Sequence, residues 1–143
     1  MSEPRLVIAL GDPAGIGTEV VLKALGDRSL ADYDLTLVAN LELLIDRYQY
    51  LRQQIPASTE LVNPADLNII NVPLAQAVRD GVQVGQGNAA SGAASFEYLE
   101  LAIDRTLTGE FEAIVTAPIA KSAWLAAGHH FQVKRNYSRS RRI

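Results

Sequence analysis

A glycine-rich loop near the N-terminus holds the first residues whose types and spacing could do chemistry. The stretch GDPAGIG, at positions 11–17, lies between a short apolar run and residues with helical spacing. Gly15 and Gly17 would let the main chain approach a ligand, and free N–H groups at the start of a helix suit a phosphate. The spacing matches neither the dinucleotide fingerprint nor the P-loop. The alternative is a tight turn fixed by Pro13 and capped by Asp12, and Asp12 could also serve as a base or a cofactor contact.

A lysine that follows the last predicted strand is the second candidate. Thr116 ends this strand, Pro118 closes it, and Lys121 falls in the first turn of the next helix. An ammonium group in that position could meet a substrate phosphate beside free backbone N–H groups. The alternative is a solvated surface lysine, which is the commoner situation for this residue type.

The histidines of the sequence do not form a pattern that predicts a metal site. His129 and His130 are the only histidines, and adjacent histidines rarely bind one metal ion together. No carboxylate or histidine stands at helical spacing from them, and the chain has no cysteine. We therefore predict no metal ligand and no disulfide in this chain, and we assign the two histidines no role.

Strands and helices alternate along the chain, and they must position these candidates. Short apolar runs closed by turn residues predict strands at positions 6–10, 35–39, 67–72 and 113–116. Helical spacing predicts helices at 17–25, 41–51, 89–107 and 120–127, the second of them capped by Asn40. Positions 55–66 and the residues leading to Asn88 are interpreted as connections. Continuous apolar strands indicate an α/β fold with a parallel sheet covered on both faces.

Three of the predicted helices carry an apolar stripe along one side. The stripes comprise Val20, Val21, Ala24 and Leu25 in the first helix, Leu41, Leu44, Ile45, Tyr48 and Leu51 in the second, and Phe96, Leu99, Ile103 and Leu107 in the third.

Composition places the chain among ordinary folded proteins. It has 143 residues, of which 48% are hydrophobic and 20% charged, enough for one domain or a piece of a larger one. The sequence contains neither the long uncharged apolar run of a membrane helix nor the pattern of a signal peptide. We therefore expect a cytoplasmic protein without a membrane partner.

Charge is distributed unevenly along the chain. Positions 132–143, here called the basic tail, hold five Lys or Arg residues and no acidic residue, whereas positions 1–131 hold sixteen acidic and eight basic ones. A basic tail could neutralise nucleic-acid phosphates, with the rest of the chain as a scaffold. The acidic body would repel a polyanion, so nucleic acid is the less favoured partner.

Three segments together carry a family resemblance. GDPAGIGTE at 11–19 resembles the opening motif GDPAGIGPE of the 4-hydroxythreonine-4-phosphate dehydrogenase family, with Thr18 in place of the proline. GQGNAASG at 85–92 is similar to the family's stretch leading into a long helix. GEFEAIVTAPIAK at 109–121 is similar to its strand-and-turn motif T-[AG]-P-[IV]-x-K. The three matches occur in the family's order.

The resemblance implies a fold and an activity. The fold is a three-layer α/β/α architecture with a mostly parallel sheet, like that of isocitrate and isopropylmalate dehydrogenases, here only as its N-terminal part. The activity is oxidation of 4-hydroxythreonine 4-phosphate by NAD or NADP, followed by decarboxylation, in pyridoxal phosphate biosynthesis. A divalent metal such as zinc, magnesium or cobalt polarises the hydroxyl, and a homodimer partner completes the site.

The resemblance also implies which residues take part. The metal histidines lie further along the family's chain, so this chain supplies no catalytic residue and is expected to be inactive alone. Substrate- or phosphate-binding candidates within it are Asp12, Gly15, Gly17, Thr116 and Lys121. A related enzyme of this fold that binds phosphate without a nicotinamide is the alternative.

The basic tail departs from the family. Its members continue with a segment resembling P-G-[HQ]-T-E, whereas this chain reads QVKRN at 132–136. Codons for QVKRNYS, read one base earlier, permit PGQTELL, so the loss of one base after the Phe131 codon would give the observed tail. We therefore interpret residues 1–131 as part of the dehydrogenase domain and 132–143 as a frame-changed tail unrelated to the fold.

Overall fold

A four-stranded parallel sheet forms the centre of the molecule. The structure is a computed structural model that describes residues 3–130, so the predicted basic tail lies outside the described residues. The sheet order is β3-β2-β1-β4, and every neighbouring pair is parallel. The strands are β1 (Arg5–Ala9), β2 (Asp34–Ala39), β3 (Asn68–Asn71) and β4 (Ala113–Thr116). The α/β class predicted from the alternating elements is confirmed.

Five α-helices connect or follow the strands. They are α1 (Gly17–Ala24), α2 (Leu41–Gln54), α3 (Gln76–Gly81), α4 (Ala89–Leu107) and α5 (Lys121–Ala126). Two short 3-10 turns, Arg28–Leu30 and Pro64–Asp66, lie in the connections. Helix α3 and both 3-10 turns fall where the sequence predicted only connecting segments.

The order of the strands places the helices in two layers. From β1 to β2 and from β2 to β3 the chain moves in one direction across the sheet, and from β3 to β4 it passes back over β1. Parallel crossovers are right-handed, so α1 and α2 cover one face and α4 covers the other. The predicted three-layer α/β/α arrangement therefore holds, with α5 packed beside α4.

Asparagine caps begin the two longest helices. The Asn40 side chain accepts a hydrogen bond from the Leu43 N–H (3.1 Å) and donates one to the Val72 carbonyl (2.9 Å), which ties α2 to the segment after β3. Asn88 and Ser91 form a capping box at the start of α4. The predicted cap at Asn40 is confirmed.

One face of the sheet is incompletely covered. Val115 of β4 is 50% exposed, and Val20 of α1 is 48% exposed. Both line an apolar groove of about 410 Å³ between α1 and β4, together with Leu6, Ile8 and Leu35. Several side chains on the apolar stripes of the helices are also exposed, namely Val20, Ala24, Leu41, Ile45 and Leu107. No helix in the described part of the chain is long and apolar enough to cross a membrane.

Helices α4 and α5 meet around a buried tryptophan. Trp124 packs edge-on against Phe96, with ring centres 5.3 Å apart, and its indole N–H donates a hydrogen bond to the Ser95 hydroxyl (2.8 Å). The imidazole of His129 also stacks on Phe96, with ring centres 3.6 Å apart. His129 therefore takes part in fixing the end of α5, a structural role that the sequence did not indicate.

This stacking predicts a pH-dependent stability. Burial lowers the pKa of His129, the charge of Glu100 raises it, and His130 lowers it. The folded state therefore favours neutral imidazole. The stabilisation is complete above the ordinary histidine pKa of about 6.5 and is lost as pH falls from there through the lower folded-state value. We expect the melting temperature of the native chain to fall more than that of His129→Phe between about pH 7.5 and about pH 5.5.

Phenylalanine at position 129 keeps an aromatic ring against Phe96 but cannot take up a proton. Thermal melts of both proteins, followed by circular dichroism at the two pH values, give the comparison. If the melting temperature fell by the same amount in the native protein and in His129→Phe, protonation of the imidazole would not be linked to unfolding.

Candidate functional site

The candidate site lies where β1 and β4 end, at the carboxyl edge of the sheet. The chain leaves β1 in one direction across the sheet and reaches β4 from the other, which makes this edge a topological switch point. Ligands of open α/β sheets bind at such points. Backbone hydrogen bonds join the two strand ends, from Ala117 N–H to the Ala9 carbonyl (3.0 Å) and from Asp12 N–H to the Pro118 carbonyl (2.9 Å).

Two glycines allow this close approach. Gly11 has φ of +80°, and a β-carbon there would lie 2.4 Å from the Pro118 carbonyl oxygen. A β-carbon at Gly17 would lie 2.9 Å from the Leu10 carbonyl oxygen and 3.2 Å from Cβ of Ala117. These contacts hold the glycine loop against the turn after β4.

Asp12 is the buried ionisable residue of this edge, with 4% of its surface exposed. Its Oδ1 accepts a hydrogen bond from the Ala14 N–H (2.8 Å), which is the local cap that the sequence predicted. Its Oδ2 accepts from the Ser91 hydroxyl at the long distance of 3.4 Å. Because burying a carboxylate is costly without partners, these contacts fix the carboxylate and leave Oδ2 able to accept a further donor.

A cavity of about 410 Å³ opens beside this carboxylate. The glycine loop, the segment after β4 and the segment before α4 form its walls, and the Gly85 N–H bonds the Ala14 carbonyl (2.7 Å) to join two of them. Its lining residues are Asp12, Ala14, Gly15, Ile16, Arg47, Val84, Gly85, Gly87, Pro118, Ile119 and Ala120. The cavity can hold a small organic molecule with one anionic group against Arg47 and one hydrogen-bond donor against Asp12.

The sequence candidates do not all reach this cavity. Asp12 and Gly15 line it, and Gly17 packs behind it against the end of β4. Thr116 lines the apolar groove on the α1 face instead. Lys121 is exposed at the start of α5 and lines neither cavity.

Two residues of the site were missed by the sequence analysis. Ser91 hydrogen-bonds Asp12 from the first turn of α4, 79 positions away along the chain. Arg47 reaches the cavity from the middle of α2. Ser91 lies inside the GQGNAASG motif, so that motif was the signal that could have identified it. Arg47 falls on the polar side of an amphipathic helix and carries no local signal.

A buried tyrosine lies behind the carboxylate. Burial raises the pKa of Tyr98 to about 12, the backbone of Asn40 lowers it, and the charges of Glu97 and Asp12 raise it further. The Tyr98 hydroxyl is buried and lacks a hydrogen bond of good geometry, although the Asn40 backbone is near. It therefore remains protonated at neutral pH and serves as packing.

The described residues do not fit a resident metal ion. Within residues 3–130, no three His, Cys, Asp or Glu side chains come close enough to hold one. This part of the chain therefore offers no set of side chains that would hold a metal ion.

Comparison with known proteins identifies related sequences and structures. Residues 18–141 match the sequence model of the family described as "Pyridoxal phosphate biosynthetic protein PdxA". The 4-hydroxythreonine-4-phosphate dehydrogenase of Synechocystis sp. is 52% identical over 132 residues, which are 92% of this chain and 37% of that protein. The Nostoc sp. enzyme of the same name is 49% identical, over 90% of this chain and 35% of its own length.

The fold of a solved structure is also similar to that of this chain. The crystal structure of 4-hydroxythreonine-4-phosphate dehydrogenase from Klebsiella pneumoniae superposes with a TM-score of 0.76 at 29% identity, covering 94% of this chain and 43% of that one. These matches confirm the resemblance drawn from the three motifs. The chain spans little more than a third of the length of the sequence relatives.

Proposed function

The chain belongs to the family of the pyridoxal phosphate biosynthetic protein PdxA, and from this premise we propose that it forms the N-terminal part of a 4-hydroxythreonine-4-phosphate dehydrogenase. In the complete enzyme the cavity beside Asp12 forms one wall of the substrate cleft. The observation that carries the proposal is a buried carboxylate with a free acceptor position, lining a cavity at the switch point of the sheet.

The proposed reaction is the oxidation of a secondary alcohol on a phosphorylated amino acid. The cofactor that the family implies, NAD or NADP, would supply the hydride acceptor for this oxidation when bound. The residues described here bind and orient the substrate. Asp12 accepts a hydrogen bond from a substrate hydroxyl or ammonium group, and the glycine loop lets the main chain approach the substrate closely.

Other parts of the complete enzyme supply the rest of the site. We propose that the divalent metal implied by the family resemblance is held by residues outside 3–130, and that the complete protein is a cytoplasmic homodimer. Thr116 and Lys121 remain candidates for substrate contact in the complete enzyme, if its remaining part covers the end of β4 and the start of α5. The frame-changed origin of residues 132–143 also remains a prediction, which resequencing of the locus tests.

Activity of the separate chain and of a completed chain tests the proposal. We expect the purified 143-residue chain to produce no NADH or NADPH from 4-hydroxythreonine 4-phosphate. A chimera that joins residues 1–130 to the remaining part of the Synechocystis dehydrogenase is expected to produce it, because 52% identity lets the two parts pack together. Reduced cofactor is followed by its absorbance with each cofactor in turn.

The remaining part of the Synechocystis enzyme, expressed alone, is the matched control. Activity in that control would mean that residues 1–130 contribute nothing to the reaction. A folded, dimeric chimera without activity towards this substrate would contradict the proposed function.

A further inference from the structure

We propose that Arg47 is the anion-binding residue of the cavity and holds a phosphate group there. Arg47 lies in α2, outside the three motifs that carry the family resemblance. It lines the cavity that also contains Asp12, and it lines a neighbouring cavity of about 400 Å³. Val84 borders both cavities as well, so Arg47 and Val84 stand between them.

The charge of Arg47 has no carboxylate partner in residues 3–130. Ion pairs there join Lys23 to Glu19, Arg79 to Glu42 and Arg105 to Glu110, and none includes Arg47. The Nε atom of Arg47 is buried without a hydrogen-bond partner. The guanidinium carbon lies 5.0 Å from the centre of the Tyr50 ring, a cation–π contact that holds the side chain in place and leaves its N–H groups available.

Neighbouring arginines differ from Arg47 in this respect. Arg52 is on the same helix, and although its Nε is also unpaired, its terminal nitrogen donates to the Thr59 carbonyl (2.9 Å). Arg79 lines the neighbouring cavity, but its guanidinium is paired with Glu42. Asp46 lines that cavity too and forms no ion pair with Arg47 within the described chain. Arg47 is thus the cation at the cavity whose charge is not satisfied by the protein.

The surroundings define the class of ligand. A planar guanidinium favours phosphate or carboxylate oxygens, to which it can donate two parallel hydrogen bonds. Asp12, in the same cavity, accepts from a hydroxyl or ammonium group, and Ile16, Val84 and Ile119 give apolar walls. The fitting ligand is a small phosphorylated molecule that carries a hydroxyl or amine. This identity of the ligand rests on the proposed function, whereas the anion site itself does not.

Titration of the native 143-residue chain with inorganic phosphate tests the anion site. We expect amide resonances of the glycine loop and of residues near Arg47 to shift in a saturable way in two-dimensional NMR spectra. Arg47→Met should weaken this binding by about tenfold or more, and Arg47→Lys should keep part of it, because lysine keeps the charge but loses the paired donors. Arg52→Met is the matched control and should bind phosphate as the native chain does.

Arg47→Lys serves as a second variant in case Arg47→Met does not fold, because lysine preserves the approximate length and the charge of the side chain. A native chain whose loop resonances do not respond to phosphate would overturn the inference. So would equal phosphate affinity in the native chain and in a folded Arg47→Met variant.

The chimera with the Synechocystis enzyme identifies the source of the phosphate group. If Arg47→Met raises KM for 4-hydroxythreonine 4-phosphate and leaves KM for the nicotinamide cofactor unchanged, Arg47 holds the substrate phosphate. If instead KM rises for the nicotinamide cofactor and not for the substrate, Arg47 holds the cofactor pyrophosphate. Either result supports the anion site. Unchanged kinetics for both ligands would contradict it. If the chimera is inactive, the proposed function fails while the phosphate titration still decides the role of Arg47.

Discussion

Gly92→Ala is expected to lower the free energy of unfolding by about 3 kcal/mol or more, which is a large part of the stability of a domain this size. Gly92 lies inside α4, where a β-carbon would be 2.0 Å from the Ala123 carbonyl oxygen and 2.9 Å from the Trp124 nitrogen. These obstacles are main-chain atoms of α5, so no side-chain rotation relieves them. The gain of about 1 kcal/mol in helix propensity from glycine to alanine opposes the effect only in part.

Urea denaturation of matched glycine variants measures this effect. Gly15→Ala makes the same chemical change at a position where the new β-carbon would lie 3.5 Å from the nearest heavy atom, an ordinary contact. We expect Gly15→Ala to unfold near the native midpoint and Gly92→Ala far below it. If Gly92→Ala also unfolded at the native midpoint, α4 and α5 could not be packed as closely as the structure shows.

Asp12→Asn is expected to reduce kcat/KM of the chimera by about 10- to 100-fold while leaving the fold intact. The asparagine carbonyl oxygen can still accept the Ala14 N–H. The amide group replaces Oδ2, the atom that in the proposed function accepts a hydrogen bond from the substrate. Loss of one hydrogen bond to a charged group costs about 1.5–3 kcal/mol, which corresponds to a reduction in rate of this size.

Asp12→Ala separates the structural role of the carboxylate from its role in binding. It removes the acceptor for the buried Ala14 N–H, so we expect the free energy of unfolding to fall by about 1–3 kcal/mol, whereas Asp12→Asn changes it little. Denaturant unfolding and steady-state kinetics of both variants give the comparison. A fully active, stable Asp12→Asn chimera would show that the carboxylate only supports the loop.

Elements with strong local signals were predicted closely. The predicted ranges of α4 and β4 coincide with the observed ones, Ala89–Leu107 and Ala113–Thr116. The Asn88 cap fixes the start of α4, and the helix is nineteen residues long, which is enough for the helical spacing of its apolar residues to be recognised. Helix α3 was missed because it has only six residues and no side-chain cap, so its start is set by tertiary packing against α4.

Exposure was harder to predict than element type. Val20 lies on the apolar side of α1 as the sequence indicated, but it faces a groove over β4 that the described chain does not fill. A periodic stripe shows which side of a helix is apolar, and it cannot show whether another element covers that side.

Residues that line the cavity were predicted where they belong to one loop and were missed where tertiary packing brings them there. Asp12 and Gly15 belong to a strand–loop–helix junction, whose place at the sheet edge follows from the parallel topology. Arg47 belongs to a separate element, α2, and lines the same cavity only through the tertiary packing of that helix. Lys121 was also a candidate from its place after β4, but it is exposed at the start of α5 and does not line the cavity.

The position of the substrate in the completed enzyme tests the central claim most directly. A crystal structure of the chimera with bound 4-hydroxythreonine 4-phosphate would show it. We predict the substrate in the cavity at the ends of β1 and β4, with a hydroxyl or ammonium group hydrogen-bonded to Asp12 and its phosphate against Arg47. Substrate bound elsewhere, with no atom in contact with the glycine loop, would contradict this account.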